Sequence, residues 1–219
     1  MVVRDERDTV YTIDHMVLAV SDLDRAGERV HRDLGLASVP GGVHPRWGTR
    51  NRIVPLGDSY IELIAVVDPE VGSSTSLGRA LLATSDDGRD RWFAACLSDT
   101  ALEETARRLG LQVEAGSRRR PDGIELRWSG AGIDDEARGA WLPFFIAWDV
   151  PADLHPGRTA IRHEVDVAGI TSVEIAGDPV RLREWLGPEG DGLPFDVSDG
   201  DPQIRAVDLS LRDGTTLRL

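Results

Sequence analysis

Lysine is missing from this 219-residue chain, so all 25 of its basic residues are arginine. That excludes Schiff-base chemistry on a lysine amine and any phosphate loop that relies on one. Cysteine is nearly missing as well: the single Cys96 leaves no internal disulfide framework and fits a reducing, cytoplasmic setting. Inside the apolar run Trp92–Leu97 that thiol reads as packed core, not as a nucleophile. No hydrophobic run approaches the ~20 residues of a membrane-spanning helix. Met1–Thr9 is too charged for a signal peptide, so no membrane partner is expected. Positive charge is the scarcer sign, with 25 basic against 38 acidic residues and a net charge of −13. Nucleic acid needs a basic footprint and is not an expected partner. Arg118-Arg119-Arg120, running into Pro121-Asp122-Gly123, reads as an exposed turn. No Ser-His-Asp or Cys-His pattern stands out, and no glycine-rich dinucleotide fingerprint is present.

What remains is an ordinary globular composition, 41% hydrophobic and 29% charged. A chain of this length buries roughly 70% of its unfolded surface without staples. Val10–Val20 alternates as a strand with Ile13, His15, Val17 and Ala19 on one face. Ser21-Asp22-Leu23-Asp24 opens a helix whose stripe is Leu23, Ala26, Val30 and Leu34, and Gly35 ends it. The glycine-rich turn Pro40-Gly41-Gly42 leads to strands at 49–56 and 59–67, joined across Gly57-Asp58. The order is β-α-β-β-β, and it returns. A strand at 92–97, a helix start at Ser98-Asp99 and strands at 111–115, 124–129 and 142–149 form the second round. A shorter third begins at Ile170–Ala176, with a helix from Asp178-Pro179 to Leu186-Gly187 and a hairpin at 204–219 turning on Asp213-Gly214. Helix starts at Ser21, Ser98 and Gly177 lie 77 and 79 residues apart, the mark of module duplication. The expected fold is α+β, built from paired β-α-β-β-β modules with a partial third. All lie in one domain region, at about 9–68, 90–150 and 165–219, and residues 150–169 form a connecting segment.

Paired modules of this kind wrap their sheets around a cavity, so inward positions become pocket positions. His15 on the first strand and Tyr60, Glu62, Ile64 and Val66 on another then face one space. So do Thr49, Asn51 and Ile53. His15 and Glu62 are the candidate catalytic pair: a base with its orienting partner, or two ligands of a divalent metal. A hydrogen-bonded polar pair inside a metal-free pocket is the alternative, and the favoured one. His44, Trp47, Thr49, Asn51 and Tyr60 are the candidate ligand-binding residues. An inward amide such as Asn51 needs partners, and His44 follows flexible glycines at a pocket mouth. His155 and His163 flank the connecting segment within reach of the pocket, and His31 has no role.

The runs Ile13-Asp14-His15, His44–Asn51 and Tyr60-Ile61-Glu62-Leu63 together resemble the glyoxalase-like domain family of the vicinal oxygen chelate superfamily. Leu142–Asp149 resembles that family's second signature, and the resemblance covers roughly 10–175. It implies a metal held by a first-strand histidine and a fourth-strand glutamate from each module. His15 and Glu62 match the ligand positions of module one. In module two the matching places fall at or near Trp92 and near Ala147, and in the third at Ser172 and about Leu217. A four-ligand metal site is therefore not assembled. The expected function is to hold a small carbonyl- or carboxylate-bearing molecule, as a lyase, isomerase or hydrolase with an atypical or absent metal. The alternative is a non-catalytic, drug-sequestering binding protein. Monomer and homodimer both stay open.

Overall fold

The computed structural model describes residues 11–85, 87–135, 138–139 and 141–219. The Met1–Thr9 stretch read above for a signal peptide lies outside the described residues. No helix among the described residues is long and apolar enough to cross a membrane.

Strands β1 (Thr12–Ala19), β2 (Val39–His44), β3 (Thr49–Pro55) and β4 (Tyr60–Val66) come from the first module. Strands β5 (Arg91–Ser98), β6 (Val113–Arg119), β7 (Glu125–Ala131) and β8 (Phe144–Trp148) come from the second. Together they close one eight-stranded barrel in the order β1-β4-β3-β2-β6-β7-β8-β5. Within each module the first and last strands run parallel, His15 beside Tyr60 and Cys96 beside Phe144. The modules meet twice. β1 and β5 pair along most of their length, whereas the β2–β6 ladder has the single pair Val43 and Arg119.

Helices α1 (Leu23–Leu34) and α4 (Leu102–Leu109) are the module crossovers. Asp22, one residue later than the expected start, caps α1 by accepting from the Asp24 and Arg25 amides. Gly35 ends it at φ 68°, a left-handed turn that glycine takes without strain. Two short helices, α2 (Pro69–Ser73) and α3 (Ser76–Thr84), link β4 to β5.

Two strand readings need correcting. Pro40-Gly41-Gly42 belongs to β2 and is no turn: an added Cβ would lie 2.1 Å from Asn51 Oδ1 at Gly41 and 2.9 Å from the Arg119 carbonyl at Gly42. The glycines are there because two neighbours press on the strand. β6 likewise runs past residue 115 to Arg119, so Arg118 is a strand residue and buried, not part of an exposed turn.

The alternation of strand side chains divides two cores. Outside the barrel, Met16, Leu63, Leu97 and Phe145 pack with Ala26, Val30 and Leu102. Val173, Ile175, Val207 and Leu209 of a second sheet join this cluster. Burying each large apolar side chain there contributes about 1.5–3 kcal/mol. Inside the barrel, Val17, Ile64, Phe93, Trp128, Phe144 and Ile146 form a separate cluster. The second sheet orders β9 (Val167–Ala176), β10 (Phe195–Ser198), β11 (Gln203–Leu211) and β12 (Thr216–Arg218) as β10-β9-β11-β12, with α5 (Pro179–Leu186) between β9 and β10. This third round keeps the β-α-β-β-β element order but not the modules' strand order.

The connecting segment is laced to the barrel. The Gly57 amide donates to the Gly157 carbonyl and the Glu164 amide to that of Gly35. His163 accepts from the Ala37 amide through Nδ1 and donates through Nε2 to the Pro55 carbonyl at 2.7 Å. His163 is thus a structural clamp outside the pocket.

Candidate active site

A cavity of about 60 Å³ opens inside the barrel. On this measure one water needs about 10–15 Å³, so the cavity holds several waters or one small molecule. His15 and Val17 of β1, Tyr60, Glu62 and Ile64 of β4, and Asn51 of β3 face it, as do His44 and Trp47 from the β2–β3 turn region. Thr49 stands one layer back, its Oγ1 3.0 Å from His44 Nδ1. The structure thus brings six of the seven sequence-predicted site residues to the cavity wall and places the seventh behind His44. Cys96 is buried between strands, and burial pushes its thiol well up, as a core residue requires. His31 is exposed near Glu164.

His15 is held from three directions. Its ring stacks on Tyr60, its cross-strand neighbour, with centroids 4.5 Å apart. Its Nδ1 lies 2.6 Å from Asp14 Oδ1, while its Nε2 faces Glu62 Oε2 at 3.5 Å, beyond a strong hydrogen bond. Asp14 is buried, which alone would raise its pKa. The hydrogen bonds from His15 and His155 overcome that and hold the carboxyl well below the usual range. A carboxylate only accepts, so His15 Nδ1 carries a proton toward Asp14, and Nε2 is left facing Glu62 and the cavity. Asp14 Oδ2 accepts from Trp148 Nε1 at 2.9 Å and from His155 Nε2 at 3.1 Å. His155 Nδ1 in turn accepts from the Gly157 amide. His155 therefore serves the site through Asp14 and does not line the cavity.

Glu62 is positioned from β3. Asn51 sits diagonally across the β3–β4 pair and donates Nδ2 to Glu62 Oε1 at 2.5 Å. Among the described residues its Oδ1 is buried without a partner, as is Trp47 Nε1. Burial keeps Tyr60 a neutral phenol, its pKa raised well above 10. Burial also drops His44 to about 4, with Glu62 opposing and Arg118 and His15 reinforcing.

Two buried arginines that sequence reasoning missed complete the wall. Arg118 reaches in from β6 and donates Nη1 to the Gly41 carbonyl at 2.5 Å. Arg138 donates to the Gly132 and Leu142 carbonyls and lies over the Phe144 ring. Arg118 was legible in principle: it alternates with Gly116 and Glu114 on one face of β6, and only the following Pro-Asp-Gly suggested an early turn.

Module two turns Phe93, Phe144 and Ile146 toward the cavity. Ala147, the residue read as matching Glu62, packs outward. The family's implied metal can be tested on these donors. His15, His44 and Glu62 are the cavity-facing donors of the first module, and among the described residues the second module's wall offers aromatic and aliphatic carbon with Arg118 and Arg138. Among the described residues one cluster of three possible ligands occurs, Asp14, His15 and Cys96, with ligand atoms within 4.8 Å of one another. Its Asp14 oxygens are already taken by three donors, and its thiol is held protonated. The donor set does not fit a metal held in the family's four-ligand manner.

A family model for the glyoxalase-like domain matches residues 13–188. Among solved structures, the chain is similar to a hypothetical protein from Staphylococcus aureus at 17% identity and TM-score 0.72, over 95% of this chain and 98% of that one. It is also similar to methylmalonyl-CoA epimerase from Mycobacterium tuberculosis at 21% identity and TM-score 0.44, over 61% and 85%. A Streptomyces coelicolor methylmalonyl-CoA epimerase in complex with 2-nitronate-propionyl-CoA aligns at 18% identity and TM-score 0.46, over 65% and 99%. At these identities the likeness is one of fold. No curated protein matches the chain.

Proposed function

The chain belongs to the glyoxalase-like domain family, and we propose that its barrel binds a small carbonyl- or carboxylate-bearing molecule and moves a proton on it, as an isomerase or lyase does. The observation that carries this reading is the chain of contacts Asp14–His15–Glu62. An ionised, three-fold hydrogen-bonded Asp14 fixes the tautomer of His15 and aims Nε2 at the cavity. Glu62, anchored by Asn51, presents a second proton-accepting group 3.5 Å away. His15 Nε2 or Glu62 takes a proton from the carbon beside the carbonyl and the same or the other group returns it. No co-reactant is needed. Tyr60, kept protonated, is the neutral O–H donor on the same wall for the oxygen on which charge develops. Both modules lie in one chain, so the wall is complete without a second copy.

The sequestering alternative draws support from Trp47, Trp128 and Trp148, which give the cavity broad aromatic faces. One experiment separates the two. The protein is incubated in deuterium oxide with small carbonyl compounds, and loss of their α-proton signals is followed by NMR. The acid–base reading expects exchange that His15→Ala and Glu62→Gln each reduce by at least about 100-fold, the scale of general acid–base catalysis. Binding without exchange in the unmodified protein would turn the assignment to sequestration.

A further inference from the structure

We propose that Arg118 is the anchor of a carboxylate, so that the molecule taken by this barrel is a small monocarboxylic acid. This rests on the reading of the cavity as a binding site and narrows its ligand class. Arg118 is 5% exposed, yet among the described residues no carboxylate lies within ion-pairing distance of it. One of its five N–H donors goes to the Gly41 carbonyl. A buried guanidinium is costly unless paired and hydrogen-bonded, and its planar fork matches a carboxylate edge.

Arg138 is the internal contrast. It is equally buried, but carbonyls on either side of its own loop take two of its five N–H donors and an aromatic face covers it. Arg138 fastens the 132–142 segment; Arg118 holds nothing comparable. The space beside Arg118 is built into β2, where Gly41 and Gly42 present no side chains. A Cβ at Gly42 would stand 3.4 Å from Arg118 Nη1. Trp47 Nε1 on the same wall is buried with no partner among the described residues and is available for an acceptor. Arg118 shares the cavity with a fixed carboxylate, Glu62, which favours a ligand of single negative charge. A dianion would set its second carboxylate against Glu62.

Isothermal titration with pyruvate, 2-oxobutyrate and lactate, each paired with its primary amide, tests the assignment. The amide keeps shape and carbonyl while removing the charge. At least one acid is expected to bind at least about tenfold more tightly than its amide, the low end for losing a hydrogen bond to a charged group. Arg118→Gln should abolish that preference and leave amide binding in place. Arg118→Lys, which keeps the charge without the fork, should restore part of it. Equal affinity of acid and amide for the unmodified protein overturns the proposal without any variant having to fold. So does an acid that binds Arg118→Gln unchanged, or failure of all three acids to bind at millimolar concentration. Deuterium exchange into neutral carbonyl compounds that His15→Ala abolishes would keep the acid–base reading while removing the carboxylate anchor.

Discussion

Replacing His44 by glutamine tests how strongly one buried imidazole ties the stability of this fold to pH. In the folded chain His44 is buried and titrates at about 4, because burial penalises the imidazolium more than Glu62 supports it. An unfolded histidine titrates near 6.5. Between those values the unfolded chain binds a proton that the folded chain refuses, so stability falls as pH falls. The full contribution is present above about pH 6.5 and drains away toward pH 4. Carried from pH 7 to pH 5, the linkage removes about 2 kcal/mol through this residue alone. That window stays above the sequence pI of about 4.8. Glutamine retains a polar group for the Thr49 hydroxyl, which lies 3.0 Å from Nδ1, but it does not titrate. Urea unfolding of both proteins at pH 7, 6 and 5 reads the effect directly. The His44→Gln stability profile should be flatter than the unmodified one by about 2 kcal/mol over this range. Parallel profiles would refute the buried-neutral assignment of His44, and with it the low dielectric inferred for the cavity.

Asp14→Asn leaves three converging donors, from His15, Trp148 and His155, facing one acceptor and one competing amide. It should cost about 3 kcal/mol in denaturant unfolding and lower α-proton exchange as well, because Nδ1 of His15 is no longer fixed as the donor. A loss under about 1 kcal/mol would contradict the buried-carboxylate account. Gly41→Ala puts a methyl group 2.1 Å from Asn51 Oδ1 while Glu62 grips the other end of that amide. It should lower stability by about 1–3 kcal/mol and weaken ligand binding, as thermal unfolding and titration with the same acids will show.

The paired modules were legible because both rounds alternate cleanly and their helix starts fall 77 residues apart. His15 and Glu62 were legible for the same reason: each is a polar residue at an inward position of an otherwise apolar strand. What stayed hidden depends on contacts between distant residues. Asp14 sits beside His15 in sequence, but its other two donors, Trp148 and His155, are 134 and 141 residues away. Arg118 looked exposed because three consecutive arginines before Pro-Asp-Gly carry the signature of a turn. Only the pairing of β6 with β7, which runs to Arg119 opposite Glu125, shows the strand continuing. Strand β2 was hidden by its own Pro-Gly-Gly, whose glycines answer to Asn51 and Arg119 and not to a turn. On β8 the alternation was right in kind but applied one residue out, so Ala147 stood in for the pair Phe144 and Ile146.

The lacing of the connecting segment sets a limit on modularity. Seen as a parts list, the barrel ends at β8 and the last 70 or so residues look separable. Yet the segment beyond β8 supplies His155, one of the three donors that keep Asp14 ionised. It also seats Gly157 so closely that a Cβ there would lie 2.4 Å from the Ser59 carbonyl. A gene trimmed after residue 150 would encode all eight barrel strands and every cavity-lining side chain, and would still deliver a differently tuned histidine. In shuffling or fusing this domain, the crossover point belongs beyond the connecting segment, because that segment carries a donor to Asp14 and the sheet that follows it packs into the outer core.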